Sequence, residues 1–224
     1  MAEMGFVPTM GALHAGHAAL ISAARERSDE VIVSIFVNPL QFNDPEDLKK
    51  YPRTPEKDRE IAIAAGATEV WFPTFEEIYP ATPELIEAGP IGDLFEGASR
   101  PGHFSGMLTV VKRLFDLVQP DFAVFGEKDF QQLFLIKEMA RKLHPEIEII
   151  AAPTIRDASG LALSSRNVRL SEAGKSAAIS INQVLRSAAT RDRITGMRQV
   201  LQNISQPLFK VTFPASANWP PPSA

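Results

Sequence analysis

The run Val31–Val37 (VIVSIFV) is apolar or β-branched at almost every position. That is the pattern of a strand covered on both faces, and so of a parallel sheet. Shorter runs of the same kind recur at Gly5–Val7, Val70–Phe72, Phe122–Phe125 and Ile147–Ala151. Between them the apolar positions shift to helical spacing. Leu20, Ile21 and Ala24 predict a helix that begins near His17, after the breaks at Pro8 and Gly11. Pro55–Ala65 reads as a second helix, with Thr54 as its N-cap and Pro55 in its first turn. Met107–Val118 and Phe130–Leu143 read as two more, while residues 74–105 read as irregular, rich in proline and glycine. Strand and helix alternate, which predicts an α/β fold with a doubly wound parallel sheet over residues 1–170. Ligands of such sheets collect beyond the carboxyl ends of the strands. Pro8–His17, Asn38–Phe42, Gly126–Asp129 and Pro153–Arg166 fall there. After Leu170 the pattern changes: a helix over Ser171–Ala189, another over Met197–Ile204, then Phe213–Ala224, which holds four prolines and Trp219 without any periodicity. Residues 171–224 therefore read as a helical remnant with a frayed Pro-rich tail.

Composition narrows the function classes. Apolar residues make up 45% of the 224, enough for a real core. The net charge is −4 and the basic residues are dispersed, which excludes a general nucleic-acid binder. No cysteine is present, so disulfides, thiolate metal sites and a cysteine nucleophile are excluded. No apolar run approaches the roughly 20 residues that span a bilayer. The chain enters its first strand without a signal-peptide pattern, and a cytoplasmic location is expected.

Chemistry concentrates in five segments. In Pro8–His17 (PTMGALHAGH), a glycine-bearing turn follows a strand and precedes a helix N-terminus, which carries free N–H groups and a positive dipole end suited to phosphate. His14 and His17, three residues apart, can sit together there and donate to oxygens that gain charge. The alternative is one capping histidine and one surface histidine; zinc fits less well, because no third ligand is near. In Ala162–Asn167 (ALSSRN), two hydroxyls beside a guanidinium form an anion clamp or an ordinary loop. In Gly126–Asp129 (GEKD), Lys128 suits a phosphate and Asp129 a metal or a ribose hydroxyl, or else an N-cap. In Asn38–Phe42 (NPLQF), Gln41 can donate and accept, as a hydroxy-carboxylate requires, or is a polar turn residue. Glu96–Gly106 (EGASRPGHFSG) suits a mobile loop over a site or a plain surface connection.

In this order and at these spacings, GFVPTMGALHAGH, VSIFVNPLQFN, EDLKKYPRT, FEGASRPGHFSG, FGEKDFQQL and GLALSSRN resemble the pantoate–β-alanine ligase family. The resemblance is dense from Gly5 to about Leu170. It implies a Rossmann-like domain of nucleotidylyltransferase type, a homodimer, and a C-terminal lid. It also implies ATP as co-substrate with Mg2+, pantoate and β-alanine as the other substrates, and reaction through pantoyl adenylate. Carried over by position, Met10, Gly11, Ala12, Leu13, His14, Ala15, Gly16 and His17 line the ATP site, with His17 as proton donor and His14 as its partner. Gly126, Glu127, Lys128, Asp129, Ile155, Leu163, Ser164, Ser165 and Arg166 are the remaining ATP-binding positions. Lys128 and Arg166 are counted as catalytic. Gln41 and Gln132 match the pantoate-binding glutamines, Asn38 and Tyr51 lie around the substrate pocket, and Asp58 falls at a metal position. Two departures accompany the match: the family's helix before the first strand has no counterpart, and no closing sheet is legible after Leu170. Two other functions remain open: a remnant that binds ATP and pantoate without efficient turnover, and a different nucleotidylyltransferase.

Overall fold

The structure, a computed structural model, describes residues 3–189. The expected helix at Met197–Ile204 and the Pro-rich tail lie outside these residues. The element order is β1 (Met4–Thr9), α1 (Ala15–Arg27), β2 (Glu30–Ile35), α2 (Pro45–Lys50), α3 (Pro55–Ala64) and β3 (Glu69–Trp71). Three four-residue helices follow, α4 (Phe75–Ile78), α5 (Gly89–Gly92) and α6 (Glu96–Ser99). The chain continues through α7 (His103–Val118), β4 (Phe122–Gly126), α8 (Phe130–Leu143), β5 (Glu148–Ala152) and α9 (Glu172–Ala189). Single 3-10 turns cover Pro39–Gln41, Glu127–Asp129 and Ser165–Arg169.

The five strands form one parallel sheet in the order β3-β2-β1-β4-β5. The doubly wound α/β expectation is met. Strand order reverses between β1 and β4. β1 pairs with β2 along its whole length but with β4 only at Gly5↔Phe122 and Phe6↔Ala123. Beyond Phe6, β1 and β4 part, and a crevice opens at their carboxyl ends, the usual ligand position of such sheets.

Side chains alternate between the faces of each strand. Phe6, Ala123 and Phe125 enter one core with α7 and α8; Val7, Val31, Val33, Phe122 and Val124 enter another with Ile21, Ala24 and Ala62. Both faces are covered, which explains why the strands read as continuous apolar runs. In the first core, Phe115 meets Phe6 and Phe125 edge-on, each at 6.4 Å between ring centroids.

Several boundaries differ from expectation. Helix α1 starts at Ala15, because His14 is its cap. Helix α7 starts at His103, so a stretch read as loop is a buried first turn. Residues 74–105 contain three short helices too brief to show a period. Thr54 and Asp129 occupy N-cap positions but do not cap: the Thr54 hydroxyl donates to Asp58, and the Asp129 carboxylate pairs with Lys128.

The chain divides into two compact units. The described residues up to Ala158, with Ala162–Arg169, make the first and contain the whole sheet. Ser159–Leu161 and the described residues from Leu170 make the second, which contains α9. Among the described residues, no helix is long and apolar enough to cross a membrane.

Candidate active site

The site begins where β1 ends. Gly11 and Ala12 both adopt positive φ, 84° and 50°. For alanine that conformation costs about 1 kcal/mol, and one buried carboxylate compensates it. Asp58 is 1% exposed. Its Oδ2 accepts the Ala12 N–H at 3.0 Å, and its Oδ1 accepts the Leu13 N–H at 2.7 Å and the Thr54 hydroxyl at 3.0 Å. The Ala12 and Leu13 amides thus face Asp58. Asp58, which the resemblance puts at a metal position, braces the turn here: both oxygens are engaged, and the residue is not among those that line the cavity. Gly11, Ala12, Leu13 and Ala15 likewise stand behind the wall, while Met10, His14, Gly16 and His17 form it.

The two histidines close the start of α1 on each other. The Gly16 N–H donates to His14 Nδ1 at 3.0 Å, and the His14 N–H donates to His17 Nδ1 at 3.3 Å. The rings lie 4.1 Å apart between centroids. A ring nitrogen that accepts a hydrogen bond carries no proton, so each neutral ring bears its proton on Nε2. Two Nε2–H donors therefore remain for a ligand. Gly16 permits this: a Cβ there would meet His14 Cε1 at 2.8 Å. Burial, then the neighbouring His14 and Lys128, hold His17 down to about 3; burial and Lys128 also lower His14.

At neutral pH both rings are thus uncharged donors. Because both rings are held below the ordinary 6.5 of an unfolded histidine, the stability of their neutral forms is complete above 6.5 and is lost as pH falls, for His17 down to about 3. Imidazole proton resonances of His17 are expected to stay constant from about pH 5.5 to 8.5. A His17 titration midpoint near 6.5 would contradict the buried, neutral arrangement.

The histidines open onto a cavity of about 250 Å³. Its inner end is apolar, with Phe36, Met107, Val111 and Val124. Two amides reach it. Gln41, 5% exposed, donates from Nε2 to Met10 Sδ at 3.2 Å. Gln132 lines the same cavity from the first turn of α8. Asn38, expected around the substrate pocket, stands behind this lining. Its Nδ2 donates to Gln41 Oε1 at 3.2 Å and to the Gly106 carbonyl at 3.0 Å, and its Oδ1 accepts from Tyr79 and Leu40. Asn38 thus orients Gln41.

The outer end is polar. Lys128, ion-paired with Asp129 at 2.7 Å, stands at the turn after β4 beside Gly126; Glu127 is exposed and is not among the lining residues. The Leu163 N–H donates to the Ile155 carbonyl at 3.0 Å, pinching a loop that carries both residues, with Ser164, Ser165 and Arg166, to the rim. Arg166 lies over the Tyr51 ring at 5.4 Å and pairs with Asp47 at 3.2 Å. The Tyr51 hydroxyl is 3.5 Å from Ser165 Oγ.

The family model described as pantoate-beta-alanine ligase matches residues 1–215. The chain belongs to the pantoate–β-alanine ligase family. A pantothenate synthetase of Acidothermus cellulolyticus is 52% identical over 187 residues, 83% of this chain and 62% of that protein. One from Pseudomonas aeruginosa is 52% identical over 194 residues, covering 85% of this chain and 69% of that protein. The solved pantothenate synthetase of Thermus thermophilus superimposes with a TM-score of 0.83 at 45% identity, over 91% of this chain and 77% of that one. The Francisella tularensis ligase, solved with β-γ ATP and β-alanine, gives 0.81 at 42% identity over the same shares. The chain spans 62% and 58% of the length of two of the curated relatives it matches. The match to the ligase family model reaches residue 215, past Leu170, where the recognisable sequence words fade.

Set against the family words, the structure brings together Met10, His14, Gly16, His17, Gln41, Tyr51, Gly126, Lys128, Asp129, Gln132, Ile155 and Leu163–Arg166. Thr9, Phe36, Glu96, Arg100, His103 and Thr154, to which the sequence assigned no individual role, also line the cavity. For Glu96, Arg100 and His103 a signal existed. They lie in the FEGASRPGHFSG word, read as a mobile covering loop, and here they form a built wall.

Proposed function

We propose that the chain condenses pantoate with β-alanine, at the expense of ATP, through a pantoyl-adenylate intermediate. The observation that carries this reading is the pair of neutral Nε2–H donors from His14 and His17 in one cavity with Gln41, Gln132, Lys128 and Arg166. The solved relative bound to an ATP analogue and β-alanine supports it.

In the first step a pantoate carboxylate oxygen attacks the α-phosphorus, the bond to the bridging oxygen breaks, and pyrophosphate leaves. In the second the β-alanine amine attacks the acyl carbon and loses a proton, and AMP departs with the electron pair of the broken C–O bond. Neither step requires a protein nucleophile, so position and charge stabilisation suffice. The histidines donate neutral hydrogen bonds to the α-phosphate as charge gathers on its oxygens. They are not imidazolium acids at neutral pH, given the burial that lowers both. Lys128, Ser164, Ser165 and Arg166 receive the phosphates being expelled. Gln41 and Gln132 hold the pantoate carboxylate and hydroxyls as uncharged partners, and the apolar inner end takes its alkyl part.

Among the described residues, no group of three or more His, Asp or Glu side chains could hold a metal. Mg2+ would enter on the triphosphate and neutralise phosphate charge there, with Asp129, which lines the cavity, as a carboxylate able to meet it. A homodimer in the cytoplasm completes the reading; the exposed Leu94, Phe95 and Phe130 side chains would suit a subunit contact.

The test is formation of AMP dependent on both pantoate and β-alanine. Product is expected from the wild-type chain; its absence, with either ligand still bound in calorimetry, would leave a binding protein and sink the reading. A second measurement examines the phosphate rim. Asp47 accepts from Arg169 at 2.7 Å and Arg166 at 3.2 Å, and these contacts, Arg169 first, hold its carboxyl below the usual range. Asp47→Asn is expected to raise KM for ATP about threefold to fivefold, as a partly exposed ion pair is lost. An unchanged KM would mean that Arg166 needs no anchor.

A further inference from the structure

We propose that His103, held by Arg100 and Glu96, is a positioning residue for the acid substrate, acting through the main chain of Gln41. The inference rests on the assignment of Gln41 to pantoate above.

His103 is 5% exposed. Its ring stands between two groups that leave it one protonation state. Arg100 Nη1 lies 3.0 Å from His103 Nε2, and a guanidinium only donates, so Nε2 must accept. The single proton of the neutral ring is then on Nδ1, which lies 2.7 Å from the Gln41 carbonyl oxygen, a group that only accepts. Glu96 fixes Arg100 from the other side at 2.6 Å. Burial, with Arg100 beside it, disfavours the charged ring and keeps this order of donors.

Gln41 is therefore gripped at two points. Asn38 holds the side-chain oxygen, and His103 holds the main-chain carbonyl. The remaining partner of its amide is Met10 Sδ, a weak acceptor that a carboxylate or hydroxyl readily displaces. Helix α7 supplies both grips, since the Gly106 carbonyl accepts from Asn38. It can come so close because Gly106 lacks a side chain: a Cβ would stand 2.1 Å from the Leu40 carbonyl oxygen. The wall formed by Glu96, Arg100 and His103 thus sets where the Gln41 amide meets its ligand. Small misplacements of such a group are costly to reaction.

The experiment measures KM for pantoate and for ATP in the full chain. Turnover by the wild type is the control, and its failure would concern the proposed function, not this inference. His103→Phe keeps the ring but no donor; KM for pantoate is expected to rise about tenfold, with KM for ATP within about twofold. His103→Asn restores a donor at the Nδ1 position and is expected to return KM for pantoate to within about threefold of wild type. Equal rises in both KM values, or no recovery with asparagine, would overturn the proposal. If His103→Phe fails to fold by thermal melting, Arg100→Met replaces it, because that side chain is 29% exposed. Arg100→Met alone should raise KM for pantoate, and should have no further effect in the His103→Asn background, where the contact is already gone. Additive losses would mean that Arg100 touches the ligand itself, and would overturn the relay.

Discussion

His17→Asn is expected to lower the rate of AMP formation by about 10²- to 10³-fold, the usual cost of deleting one donor to a charge-gathering oxygen. Asparagine can still accept the His14 N–H where His17 Nδ1 does, but it has no group at Nε2. The substitution thus separates chemistry from capping, and the melting temperature should stay within about 2 °C. His17→Ala removes both functions and should also lose about 1 kcal/mol of helix-start stability. Single-turnover kinetics in an excess of ATP and pantoate would read the first effect. A rate within tenfold of wild type would rule out the donor role.

Asp58→Ala has the largest expected effect on stability. It strips the acceptor from two main-chain N–H groups, in a turn where Ala12 is held at positive φ. Unsatisfied donors at a buried position cost about 3 kcal/mol together, equivalent to about 6–12 °C in melting temperature for a chain of this size. Activity should fall with it, because His14 follows directly on Leu13. A variant that melts with wild type would show that the turn holds itself without Asp58.

Much of this architecture was legible. The seven residues of VIVSIFV announce a strand buried on both faces, and β2 is central, between β1 and β3. The apolar spacing of Phe130–Leu143 matches α8 end to end. The histidine pair was legible as well, because strand, turn and helix start are adjacent in sequence. What escaped reading depended on distant partners. Asp58 reads as a candidate metal ligand; that it also holds the Ala12 and Leu13 amides, more than forty residues away, is visible only in the fold. The contacts of Asn38 with Gly106 and Tyr79 are likewise invisible in the sequence. The start of α7 was hidden by Pro101 and Gly102, which imitate a loop, although His103 and Phe104 are buried. Local pattern groups the candidate residues; long-range packing decides which of them face one cavity.

The pairing of β1 with β4 also fixes an order of events during synthesis. β1 can meet β2 as soon as residue 35 has been made, but the other flank of the crevice is β4, joined at Phe122 and Ala123. Lys128, Gln132 and the loop through Arg166 come later still. A nascent chain emerging from the ribosome therefore carries the histidine turn long before the cavity around it is complete. Until then, the β4-facing edge of β1 is an open template for wrong partners, a hazard of sheets built from distant strands.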